Sequence, residues 1–86
     1  MIHWSVYIIL CSDRSLYTGI TTDIKRRFQQ HSTQKGAKYF RQCQPERIVF
    51  LEAGHSRSSA SRREAAIKKL TRNQKQKLLT ETSYDI

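Results

Sequence analysis

The chain is predicted to fold as one small α/β domain with the element order β-β-α-(α)-β-α-α. Three observations lead to this. At 86 residues there is room for one modest core and no second folded unit. Hydrophobic residues make up 37% and charged residues 27%, a polar balance that still leaves apolar runs a disordered chain lacks. Those runs are of two kinds: short β-rich ones without strict alternation, and stretches in which apolar residues recur at helical spacing.

Residues 4–11 include Val6, Tyr7, Ile8, Ile9 and Leu10 in one run, the pattern of a strand covered on both faces. Ser12, Asp13, Arg14 and Ser15 form a polar turn, and Leu16, Tyr17, Thr18, Gly19 and Ile20 return beside the first strand as a hairpin. Thr22 or Asp23 caps the next helix, which runs to about His31 with Ile24 and Phe28 four residues apart. Residues 32–36 read as a loop and 37–42 as a short helix carrying Tyr39 and Phe40. After Pro45, residues 47–51 are apolar on both sides and end near Gly54, which predicts a third strand at the centre of the sheet. Ser58 or Ser59 caps a helix over 60–70, and 71–79 form a shorter last helix with Leu78 and Leu79 turned inward. The domain is placed at 1–80 with a frayed tail at 81–86, and the Ser-rich stretch 56–61 reads as a mobile connection.

Sixteen Lys and Arg against seven Asp and Glu give a formal net charge of +9, which points to a polyanionic partner. Cys11 and Cys43 lack the paired spacing of a zinc site, so structural zinc is not expected. No apolar stretch approaches the roughly 20 residues of a membrane helix and no leader pattern opens the chain, so a cytoplasmic setting with free thiols is the expectation.

Several residues fit their expected positions badly. On the first helix the inward spacing selects Ile24, Arg27, Phe28 and His31, so half of that stripe is polar, while Lys25, Arg26, Gln29 and Gln30 fall outward. Arg27 could snorkel at the edge of the stripe, and His31 could answer the helix dipole. On the later helix Ala60, Glu64, Ile67 and Thr71 share a face, and Glu64 is the one acid in segment 57–77 against eight basic residues. It can pair with Lys68 at i,i+4, or it can serve as the lone carboxylate that Mg2+ needs beside a phosphodiester. Tyr7 and Tyr17 on paired strands are ordinary packing residues when considered singly. Together, two tyrosines, an Arg, a His and a carboxylate from four elements have the makings of an acid-base and charge-neutralising site.

In this setting Ser5-Val6-Tyr7 resembles a degenerate GIY triplet, and Tyr17-Thr18-Gly19, ten residues on, resembles YIG. Arg27-Phe28-Gln29-Gln30-His31 is similar to the Arg-x-x-x-His helix of the GIY-YIG nucleases, and Arg63-Glu64-Ala65-Ala66-Ile67-Lys68 to their metal-binding helix. The stretch from Ile67 through Leu70, Thr71 and Asn73 to Lys75 is similar to the ending of the small stand-alone YhbQ-like (UPF) bacterial branch. The sequence departs from the family pattern at Ser5, Val6 and Thr18.

The resemblance implies a three-stranded antiparallel sheet flanked by helices and a DNA endonuclease that uses one divalent metal, Mg2+ or Mn2+. Carried over by position, Glu64 holds the metal, Arg27 neutralises the scissile phosphate and Tyr7 helps deprotonate the attacking water. Tyr17 and His31 orient groups or relay protons. Lys25, Arg26, Arg62, Arg63, Lys68, Lys69, Arg72, Asn73 and Lys75 are the candidate nucleic-acid contacts. DNA is the expected partner, with RNA open, in a structure-specific role linked to repair or recombination. The competing expectations are a non-catalytic nucleic-acid-binding module, because the basic segment 57–77 binds phosphates without chemistry, and a scaffold subunit of a larger repair protein.

Overall fold

The computed structural model describes residues 3–32 and 44–82, with the backbone alone described at 31–32 and 81–82. The short helix expected over 37–42 lies outside the described residues. Strand β1 (Trp4–Cys11) and strand β2 (Leu16–Thr21) form the expected hairpin, with Val6 opposite Ile20, Tyr7 opposite Gly19 and Ile9 opposite Tyr17. Asp13 organises the turn: its Oδ1 accepts from the Ser15 amide at 3.0 Å, while Arg14 takes a left-handed backbone with φ of 72°.

Helix α1 (Ile24–Ser32) begins at Asp23, whose Oδ1 accepts from the Arg26 amide at 3.1 Å and whose carbonyl accepts from Arg27. Strand β3 (Pro45–His55) pairs antiparallel with β1, and the order β2-β1-β3 completes the three-stranded antiparallel sheet. The strand predicted to be central is therefore an edge strand, and β1 is the centre. The pattern misled because helices cover both faces of β3, so an edge position acquires apolar residues on both sides. Pro45 at its first position and exposed Glu46 and Arg47 are features of an edge.

Helix α2 (Arg57–Lys68) is capped by Ser56 rather than by Ser58 or Ser59. The Ser56 hydroxyl accepts from the Ser59 amide and the Ser59 hydroxyl accepts from the Ser56 amide, each at 3.1 Å. The Ser-rich stretch read as a mobile connection is thus a capping box. Helix α3 (Arg72–Thr82) opens on a second reciprocal pair, Thr71 with Gln74, and continues two residues past position 80, where the tail was placed. Thr71 belongs to that cap and not to the inner face of α2.

The sheet is buried on both sides by separate clusters. Tyr7, Ile9, Cys11 and Ile48 meet Ile24 and Phe28 of α1 on one face, and Tyr17 and Leu51 pack at its margins. Val6, Ile8 and Phe50 meet Ala60 and Ile67 of α2 on the other, where Leu78 and Leu79 of α3 turn inward as expected. Alternation along β1 therefore sends Tyr7 toward α1 and its neighbours Val6 and Ile8 toward α2.

Candidate active site

Tyr7 reaches sideways across β2. A Cβ added at Gly19 would lie 2.5 Å from the Tyr7 hydroxyl oxygen and 2.7 Å from the carbon bearing it, so the ring occupies the space a side chain at 19 would fill. Gly19 is needed for this close approach. Gly19→Ala is expected to be destabilising by about 1–3 kcal/mol, the usual range for overpacking, and to displace the tyrosine. Chemical denaturation of the variant measures the first effect, and the near-ultraviolet circular dichroism of the tyrosines reports the second.

The hydroxyl reached this way lies among the groups singled out in the sequence. The Tyr7 and Tyr17 ring centroids are 6.3 Å apart, with the planes tilted at 39°. Burial pushes the Tyr7 hydroxyl up to about 12, against the opposing pull of a hydrogen bond from Arg27; the charges of Tyr17 and Glu64 reinforce the rise. Tyr7 keeps its proton at neutral pH and is not a preformed phenolate base.

Arg27 is half-buried on α1. Its Nη1 donates to the Gln30 side-chain oxygen at 3.2 Å, and its Nε is buried without a hydrogen-bond partner among the described residues. A buried guanidinium donor is costly unless a protein, ligand or solvent acceptor meets it. Gln30 is half-buried rather than outward, and it holds the guanidinium fork. The signal available in the sequence was its spacing, i+3 from Arg27.

Glu64 is on the sheet-facing side of α2 between Ala60 and Ile67, with 25% of its side chain exposed, and Lys68 Nζ is 3.5 Å from it. Both readings of Glu64 thus find a basis: it pairs with Lys68 and remains accessible. His31 lies in the last turn of α1, and its side chain is outside the described residues.

The candidate nucleic-acid contacts do not behave as one set. Lys25, Arg26, Arg62 and Lys69 are exposed, as is Asn73 at the start of α3. Arg63 donates through Nε to Glu52 at 3.1 Å, and His55 Nε2 lies 2.6 Å from the same Glu52 oxygen. Arg63 is therefore committed to a knot joining β3 to α2, completed by His55 Nδ1 at 2.8 Å from the Ser59 hydroxyl oxygen. Arg72 donates to the Arg14 carbonyl at 3.1 Å, tying α3 to the hairpin turn, and Lys75 is half-buried.

A three-stranded antiparallel sheet with a tyrosine on each of two paired strands, an arginine on the helix that follows and a glutamate on the next defines the class. Residues 3–77 match the GIY-YIG catalytic domain, and the chain belongs to that family. Within it, the chain is similar to the UPF0213 proteins. It is 50% identical to one from Haloquadratum walsbyi over 76 residues, which is 88% of this chain and 85% of the relative. It is 46% identical to the UPF0213 protein YhbQ of Escherichia coli over 81 residues, covering 94% of this chain and 81% of that one. The solution NMR structure of a UPF0213 protein from Bacillus halodurans superposes with a TM-score of 0.62 at 42% identity, covering 94% of this chain and 86% of that chain. Among the described residues no helix is long and apolar enough to cross a membrane.

Proposed function

We propose that the protein is a divalent-metal-dependent DNA endonuclease whose site is formed by Tyr7, Tyr17, Arg27, His31 and Glu64. The single observation that carries this reading is the half-buried Arg27, bonded to Tyr7 and Gln30 and retaining a buried donor with no partner among the described residues. A scissile phosphate supplies the acceptor such a donor lacks, and the charge of the guanidinium offsets the negative charge that builds on the phosphorus-bound oxygens.

The donor set fits Mg2+ or Mn2+. Among the described residues no three His, Cys, Asp or Glu gather into an all-protein metal cage, and Glu64 is the accessible carboxylate on the sheet-facing side of α2. One carboxylate completed by waters and phosphate oxygens is the habit of Mg2+ at phosphodiesters. When bound, the cation would supply Lewis-acid activation at the phosphate and lower the pKa of a coordinated water. The protein's own groups do the rest. Arg27 clamps the phosphate, Gln30 holds the clamp, and Tyr7 with its proton in place donates a hydrogen bond toward the reacting oxygens. A base role for Tyr7 requires the positive charge that a cation brings, because Arg27 alone does not overcome burial.

A nicking assay on duplex, branched and single-stranded DNA, with and without Mg2+, tests the reading. Metal-dependent cleavage of at least one substrate that stops on chelation is the expected result; binding without cleavage on all three would leave the chain a nucleic-acid-binding module. A preference for the branched substrate would support a role in repair, within or beside a larger protein. The basic surface sets the salt response. With about four phosphates contacted through residues such as Arg26, Arg62 and Lys69, duplex affinity is expected to fall about a hundredfold between 50 and 200 mM salt. A slope near zero in an anisotropy titration would make the charge a solubilising surface.

A further inference from the structure

Beside Arg27 lies a cleft of about 340 Å3 that the roles assigned above leave unused. Trp4 forms one wall, Ile20 and Thr22 continue it from the end of β2, and Asp23, Arg26, Arg27 and Gln30 close it from the start of α1. We infer that this cleft holds one unstacked nucleobase of the DNA strand against Trp4, with the attached phosphate directed to Arg26 and Arg27.

Four features converge on that occupant. The volume lies at the lower end of pockets that hold small organic molecules, roughly 300–1,000 Å3, enough for one base and its sugar and too small for a stacked pair. The aromatic wall is half-buried, so the Trp4 ring is both anchored in the core and reachable. Arg57 already sets a guanidinium carbon over that ring, 5.7 Å from the centroid, without lining the cleft, so the ring takes a planar cation and the cleft beside it is not filled by Arg57. The rim also has the right mixture of charge. Two guanidinium groups suit phosphate, while Gln30 and the Asp23 carboxylate, one oxygen of which accepts from the Arg26 amide, suit the polar edge of a base. A lipid tail or an apolar peptide would offer the two guanidinium groups of the rim no acceptor. Stacking on an aromatic side chain is how proteins take up bases that are out of the helix, and it works for every base because each has a π face.

This inference rests on DNA being the ligand, and its test separates the two. Trp4 is the one tryptophan of the chain, so its fluorescence reports the cleft directly. The full-length protein is titrated in the absence of divalent metal with a short single-stranded oligonucleotide and with the same oligonucleotide in which every base is replaced by an abasic residue, while anisotropy of a labelled strand reports binding. The expected result is binding of both strands at low salt, with Trp4 quenched by the base-bearing strand alone. Equal quenching by the abasic strand, or binding of the base-bearing strand with Trp4 unchanged, would overturn the nucleobase site and leave the nuclease reading standing. Absence of binding in the anisotropy channel would overturn both. Substitution gives a second measure: Trp4→Leu is expected to weaken binding of the base-bearing strand about tenfold, within the range for loss of one stacked base, and Trp4→Phe to restore most of it. Should Trp4→Leu fail to fold because the ring also packs on the core, the wild-type fluorescence comparison still decides.

Discussion

Glu64→Ala is expected to abolish metal-dependent nicking while leaving the fold and the affinity for DNA in place. On the proposed reading, loss of the carboxylate removes the accessible anchor for a cation on the inner face of α2, and the several kcal/mol of charge stabilisation a cation would bring correspond to a rate loss of at least about a hundredfold. The structural alternative predicts a different pattern. An i,i+4 pair with a largely exposed Lys68 contributes a few tenths of a kcal/mol, so a purely structural Glu64 would give a small decrease in thermal stability and no selective change in cleavage. The variant also releases Lys68 from its partner at 3.5 Å, so DNA affinity measured at low salt should hold or rise. Cleavage by Glu64→Ala at the wild-type rate would remove the metal assignment.

Arg27→Lys should reduce cleavage about a hundredfold or more at nearly unchanged stability and DNA affinity. Lysine keeps the charge but loses the planar fork, and with it the ability to bond Tyr7 and Gln30 while presenting a further donor to phosphate. A merely snorkelling arginine would tolerate the change, since a lysine stem covers the same apolar surface. The comparison must be made on one substrate, with unfolding by denaturant followed in parallel. Equal rates would make Arg27 structural and would dismiss the site role of α1, His31 included.

The hairpin, the third strand and the inward face of α1 were legible in the sequence because each depends on local spacing, whereas the joining of the three strands into one antiparallel sheet was implied by the family resemblance. Ile24, Arg27 and Phe28 fall where the helical period places them, and Asp23 caps as its type predicts. The order of strands was not legible in the same way. Residues 47–51 carry the apolar signature of a central strand because α1 and α3 cover the two sides of β3, and the coverage of an edge by helices leaves no local mark. The capping box at Ser56 was hidden among four neighbouring serines, any of which has a suitable hydroxyl. Within the site, residue types marked Tyr7, Tyr17, Arg27 and Glu64, but two features required geometry. Gln30 looked outward by period and is drawn in by the guanidinium it holds. Arg63 looked like a free phosphate contact until Glu52, eleven residues earlier, was seen to engage it. Ion pairs between elements are invisible to a reading along the chain.

The passage of Tyr7 over Gly19 carries its hydroxyl to β2, an edge strand of the sheet. Tyr7 and Arg27 are anchored by the α1 cluster, and Glu64 by the α2 cluster, so neither hydrophobic layer builds the site alone. During synthesis Tyr7, Tyr17 and Arg27 leave the ribosome well before Glu64, and the early half of the chain has neither its carboxylate nor the second cover of the sheet. On the proposed reading, a nascent or partly unfolded chain is basic but lacks an assembled site. On that same reading cleavage would require both layers closed on β1, and its rate would report the population that has folded completely.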